Sequence, residues 1–174
     1  MNGTAVFLLA RFIHVVAGVT WAGAVVFVAF FLTPAIRATG PAGGALMQRL
    51  VRVQRLPVYL ITLMVLTVLS GLSLYWLDFN AFGKAWMHTG AGRTFAAGGA
   101  LAILGALVGV VINVPAAKKL GMITSSIQAA GTPPSAEQAT ELGRLQNRLN
   151  RAGLASAILI LLAVICMGVA RYMP

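Results

Sequence analysis

Ala152-Gly-Leu-Ala-Ser-Ala-Ile-Leu-Ile-Leu-Leu-Ala-Val-Ile-Cys-Met-Gly-Val-Ala170 carries no charged side chain over its whole length. At 1.5 Å per residue, a helix of roughly twenty residues matches the ~30 Å hydrocarbon core of a bilayer. Three further stretches are built the same way: about Ala5–Leu32, Leu56–Leu77 and Thr94–Val114. Val, Ile and Phe are plentiful in them, but the runs are unbroken. They lack the dyad alternation in ~10-residue pieces that marks a barrel strand. The expected fold is therefore all-α: an integral membrane, antiparallel four-helix bundle forming one membrane domain over 1–174.

Composition agrees. Of the 174 residues, 59% are hydrophobic and only 9% charged, against about a quarter charged in soluble domains. Four spans and their connections use up the chain, so any active group must lie in the bundle or its short loops. The first run is far longer than the 7–15-residue apolar core of a signal peptide, and no basic segment precedes it. It reads as a span that stays.

The net charge of +10 comes from thirteen Lys and Arg against Asp78, Glu137 and Glu141. These cations flank apolar runs, which points to lipid headgroups as counter-charge and excludes nucleic acid as a partner. Arg37, Arg49, Arg52, Arg55, Lys118, Lys119, Arg144, Arg148 and Arg151 fall in the first and third connections. Arg11, Lys84, Arg93 and Arg171 fall on the other side. The positive-inside rule then puts both termini outside, N-out and C-out, in the periplasm if the membrane is a bacterial inner membrane. Cys166 is the only cysteine, so no intramolecular disulfide forms.

Punctuation refines the plan. Pro57 suits the first turn of the second helix, and Asn113 with Pro115 marks the inner end of the third. Gly131-Thr-Pro-Pro134 is a turn. Ser135-Ala-Glu-Gln138 after it has the form of a capping box, so the fourth helix begins near Ala136 and projects inward of the membrane. Two inner segments are amphipathic, about 42–55 and 136–151. The first interleaves Leu46, Met47, Leu50 and Val53 with Arg49, Arg52 and Arg55; the second aligns Leu142, Leu145 and Leu149. Gly98, Ala102, Gly105, Gly109 and Asn113 form a small-residue track, as Gly18 and Ala22 do on the first span. Such tracks let helices approach closely within the chain, the alternative being a homo-oligomer interface.

Chemistry concentrates in Arg11-Phe-Ile-His14-Val-Val-Ala-Gly18-Val-Thr-Trp21, where helical spacing puts Arg11, His14, Gly18 and Trp21 on one stripe. An ionisable residue inside a span is expensive and is a functional candidate by default. Gly18 leaves room beside the imidazole for a flat ligand, and Trp21 offers a stacking face or plain packing. Against the ligand reading stands a neutral imidazole bonded to a neighbouring helix, at Thr67, Ser70 or Ser73. The other histidine, His88, lies in the outer connection Asp78–Arg93, from which a re-entrant loop would bring it toward His14. Bis-histidine ligation would suit haem b, with Arg11, Lys84 or Arg93 meeting the propionates. Met87, Met167 and Cys166 are soft donors that would suit copper(I) instead. No Walker, dinucleotide or zincin motif is present, and the spans contain no acid.

His14-Val-Val-Ala-Gly-Val-Thr-Trp21-Ala-Gly23 resembles the first span of a loose group of bacterial inner-membrane proteins, with the approximate pattern His-x6-Trp-x-Gly. The group includes the membrane domain of copper-resistance protein D and haem-linked four-helix relatives such as the small membrane protoporphyrinogen oxidase. Leu66-Thr-Val-Leu-Ser-Gly-Leu-Ser-Leu-Tyr-Trp76 and Met167-Gly-Val-Ala-Arg171-Tyr172 look like a four-span branch of it. The resemblance implies that His14 is a haem or copper ligand, with His88 the candidate second ligand. The oxidase places a basic residue inside a later helix, and the third helix here has none. The expected function is a small b-type haem protein or membrane redox subunit for electron transfer. The alternatives are copper handling at the periplasmic face and a non-catalytic partner or assembly subunit.

Overall fold

Among the described residues, four helices are long and apolar enough to cross a membrane. The structure, a computed structural model, describes residues 3–174, and among these there is no strand. We label the helices α1 (Gly3–Ala38), α2 (Pro41–Arg52), α3 (Leu56–Phe82), α4 (Lys84–Met87), α5 (Gly90–Ala130) and α6 (Ala136–Tyr172). The long ones are α1, α3, α5 and α6. At 36, 41 and 37 residues, α1, α5 and α6 far exceed what a ~30 Å core requires.

The extra length corrects one expectation. Pro115 does not end the third helix, which continues to Ala130. Proline lacks the N–H that an α-helix needs and its ring collides with the preceding turn. Here a π-helical turn over Gly109–Asn113 absorbs both problems, with the Val114 N–H reaching back to the Gly109 carbonyl. The same device recurs in α1, where a π-turn over Val28–Leu32 precedes Pro34 and the Thr33 N–H reaches Val28.

Other boundaries follow local chemistry as expected. Pro57 lies in the first turn of α3. The Ser135 hydroxyl accepts from the Gln138 N–H at 3.2 Å while the Gln138 side chain accepts from the Ser135 N–H at 3.0 Å, a reciprocal cap that starts α6. The turn from α2 to α3 passes through Arg55 in the left-handed region at φ 52°.

Packing is pairwise. Helix α1 lies on α3 where Gly18 faces Thr67, so closely that a Cβ on Gly18 would sit 3.4 Å from the Thr67 methyl. Helix α5 lies on α6 through Gly98 and Gly105, and the buried Ser156 hydroxyl donates to the Gly105 carbonyl at 3.0 Å. These are the intramolecular contacts that the small-residue tracks promised. The two pairs meet at Trp21, 5% exposed, packed with Ala22 and Ile160 and flanked by Leu60, Met64 and Ala102. Phe12, Val19, Leu69, Val111 and Ile165 stay exposed, an apolar exterior suited to lipid and costly in water.

Beyond the apolar runs the helices are joined by polar links. Arg37 donates to Asn147 at 3.1 Å, and Glu141 receives Lys119 at 2.6 Å and Arg144 at 2.7 Å. The hydrogen bond from Arg144, then that from Lys119, holds the Glu141 carboxyl down at about 2, below its usual 4.5. A depressed carboxylate contributes stability that is fully present above 4.5 and is lost as pH falls through about 2. The Tm difference between wild type and Glu141→Gln should therefore be constant from neutral pH down to about 4.5 and vanish toward 2. A difference that survives intact at the acid end would show that ion pairing is not its source.

Candidate functional site

His14 lies half-buried on the stripe of α1 that faces α3. Its Nδ1 stands 2.9 Å from the Thr67 carbonyl and 3.4 Å from the Ser70 hydroxyl oxygen. A carbonyl can only accept, so Nδ1 carries the proton and donates. The Ser70 hydroxyl spends its own proton on backbone carbonyls of its helix, Leu66 and Thr67, and so presents a lone pair to Nδ1. The tautomer is thereby set, and in the neutral ring Nε2 holds the lone pair.

Gly71 makes this approach possible. A Cβ there would fall 2.8 Å from His14 Cε1 and 3.1 Å from Nδ1, closer than the ring could tolerate unmoved. The imidazole thus lies close against α3, with its acceptor at Thr67 and the side-chain-free Gly71 one turn on. Among the described residues no hydrogen bond is made by Nε2. Among the described residues the one buried polar side-chain atom without a partner is Asn113 Oδ1.

Arg11, one turn nearer the N-terminus on α1, is exposed, and its positive charge acts on Asp78 near the end of α3. The space beside Gly18 is taken up by Thr67. Trp21 is buried in the core where the two helix pairs meet, as a packing residue. His88 is exposed at the end of α4, its backbone N–H donating to Ala85 at 3.1 Å. Among the described residues no hydrogen bond joins it to His14. Arg93 is exposed in the first turn of α5, below the Thr89 hydroxyl that caps the helix by accepting from Gly92.

Comparison with protein-family models, with curated proteins and with solved structures finds no match.

Of the residues singled out in the sequence, the structure brings His14 onto Thr67 and Ser70, as the bonded-imidazole reading held. Ser73, the third partner considered, turns its hydroxyl to Leu69 of its own helix at 2.8 Å. Gly71 and Asp78 were missed. Both could have been found by laying α1 and α3 head to tail, since Gly18 opposite Thr67 puts His14 beside Gly71 and carries Arg11 toward Asp78. The soft donors divide. Met87 is exposed on α4, while Cys166 and Met167 pack against Gly98 between α5 and α6. Among the described residues, His, Cys, Asp and Glu side chains form no group of three or more placed to share a metal ion.

Proposed function

We propose that this chain is a multi-pass protein of a bacterial inner membrane that binds b-type haem through His14 and serves as a membrane electron-transfer component. The observation that carries this reading is the 2.9 Å bond from Nδ1 to the Thr67 carbonyl. Ligating histidines are typically oriented in this way, with one nitrogen donating to a carbonyl while the other keeps its lone pair and gains basicity. The bond to Thr67 would suit a structural imidazole equally; what favours ligation is that Nε2 is left without a hydrogen-bond partner among the described residues.

Topology supports the same placement. Positions on α5 rise as their partners on α6 fall, from Gly98 beside Cys166 to Gly105 beside Ile160 and Lys119 beside Glu141. This is the pattern of an antiparallel bundle. With the cation-rich connections inside, both termini and the His14 end of α1 face outward.

The donor chemistry fits the group: His14 Nε2 would hold its iron, and Arg11 and Arg93 would be the cations that meet its propionates. His88, on the outer connection, is the candidate second ligand. Bound haem would supply one-electron transfer. The protein's own part is to hold the imidazole in one tautomer and one orientation and to keep that position out of bulk water.

An optical spectrum of the detergent-purified protein, oxidised and then dithionite-reduced, tests the reading, with metal analysis alongside. A Soret band with sharp α and β bands on reduction is the expected result. Copper at comparable stoichiometry without those bands would replace haem with copper handling. A flat, metal-free preparation from haem-replete cells would leave a non-catalytic partner subunit.

A further inference from the structure

A second site lies at the inner end, on residues that the haem reading does not use. Where the C-terminal turn of α2 meets α5, a shallow groove of about 550 Å³ is lined by Arg52, Lys118, Gly121, Met122 and Ser125. Its two cations come from different helices. Ser125 fixes one of them: its hydroxyl donates to Gly121 at 2.8 Å and accepts from the Arg52 guanidinium. Met122 contributes an apolar wall and is 66% exposed.

The groove has no carboxylate. Glu137 and Glu141 both line a separate groove on the α6 side, where Glu141 is already engaged by Lys119 and Arg144. Among the described residues neither Arg52 nor Lys118 has an acidic partner. Two like charges that converge on one concavity repel each other until an anion sits between them. Depth along the chain says which anion. Arg52 lies four residues before the apolar run that opens at Leu56, and Lys118 four residues after the run that closes at Val114. Lys118, on a continuous helix, therefore stands about 6 Å outside the hydrocarbon, and Arg52, lining the same groove, lies at that headgroup level with it.

We infer that this groove binds the phosphate of an anionic phospholipid headgroup. Arg52 and Lys118 are its cations, Ser125 is the residue that positions Arg52, and Met122 meets the apolar part of the lipid. The site is independent of His14 and stands whether or not haem is bound.

The test uses the intact protein in a neutral detergent, offered phosphatidylglycerol or phosphatidylcholine. Retained lipid is read by native mass spectrometry and stabilisation by Tm. Phosphatidylglycerol should bind and raise Tm, and phosphatidylcholine should do neither. Arg52→Gln with Lys118→Gln should weaken the phosphatidylglycerol effect about thirtyfold, at roughly one surface-cation contribution each. Arg49→Gln with Arg55→Gln removes the same charge outside the groove and should leave most of the effect. Equal losses in the two double variants would overturn the site in favour of diffuse attraction. Inorganic phosphate alone, added without lipid, should leave Tm unchanged; a rise matching that of the lipid would overturn the lipid assignment.

Discussion

His14→Ala is expected to abolish bound pigment while leaving the helices intact, and Gly71→Ala to remove most of it without touching the ligand. The second variant is the sharper one. An added methyl at Gly71 would lie 2.8 Å from His14 Cε1, so the ring must turn or lift. Either movement takes Nδ1 off the Thr67 carbonyl, and a protonated Nδ1 facing hydrocarbon without an acceptor is costly. Loss of an orienting partner of this kind typically costs 10–100-fold in affinity for the bound group. Haem titration of the apo-protein reads that loss, and circular dichroism verifies that the fold persists. A full reduced spectrum in His14→Ala would sink the axial assignment outright. Undiminished affinity in Gly71→Ala would show that the Thr67 bond is incidental.

Gly98→Leu should give a clear loss of stability by forcing the α5–α6 pair apart. A Cβ at this position would already stand 3.0 Å from the Cys166 Cβ, 3.2 Å from the Met167 methyl and 3.3 Å from the Ala163 carbonyl oxygen. Only the methionine end can move aside cheaply. A leucine would have to push α5 away from α6, at about 1–3 kcal/mol for ordinary overpacking and more where backbone is the obstacle. The adjacent Gly99, about 100° round the helix, has nothing within 4 Å of an added Cβ, so Gly99→Leu is the matched control. Denaturation in mixed detergent micelles should show a clear drop for the first and little change for the second. Equal midpoints would mean that the pair is not held by close backbone contact.

How far the sequence could be read depended on which physics was local. Span number and helical class were legible because transfer of twenty apolar residues is a large, additive signal. The cap at Ser135, the proline at position 57 and the turn at Gly131 were legible because each acts within four residues. The passage of a helix through Pro115 was not, because a π-turn is a compromise between the proline and the packing of helix against helix. At the candidate site, His14 announced itself by being ionisable within a span, and Thr67 and Ser70 were within reach of a guess. Gly71 was silent. A glycine in a serine-rich apolar stretch looks like any other until the ring it accommodates is placed opposite.

The π-turns in α1 and α5 have a consequence for how this chain could vary. One residue advances a helix by about 100°, so a wide turn re-phases everything that follows it. Deleting a single residue between Val28 and Leu32, or between Gly109 and Asn113, would leave two good helices and an undisturbed membrane half. It would nonetheless rotate the part of the helix beyond the turn by roughly a quarter turn, swinging Arg37 away from Asn147 in one helix or Lys119 away from Glu141 in the other. The parts of these helices before and after each wide turn are thus set against each other by count as much as by composition.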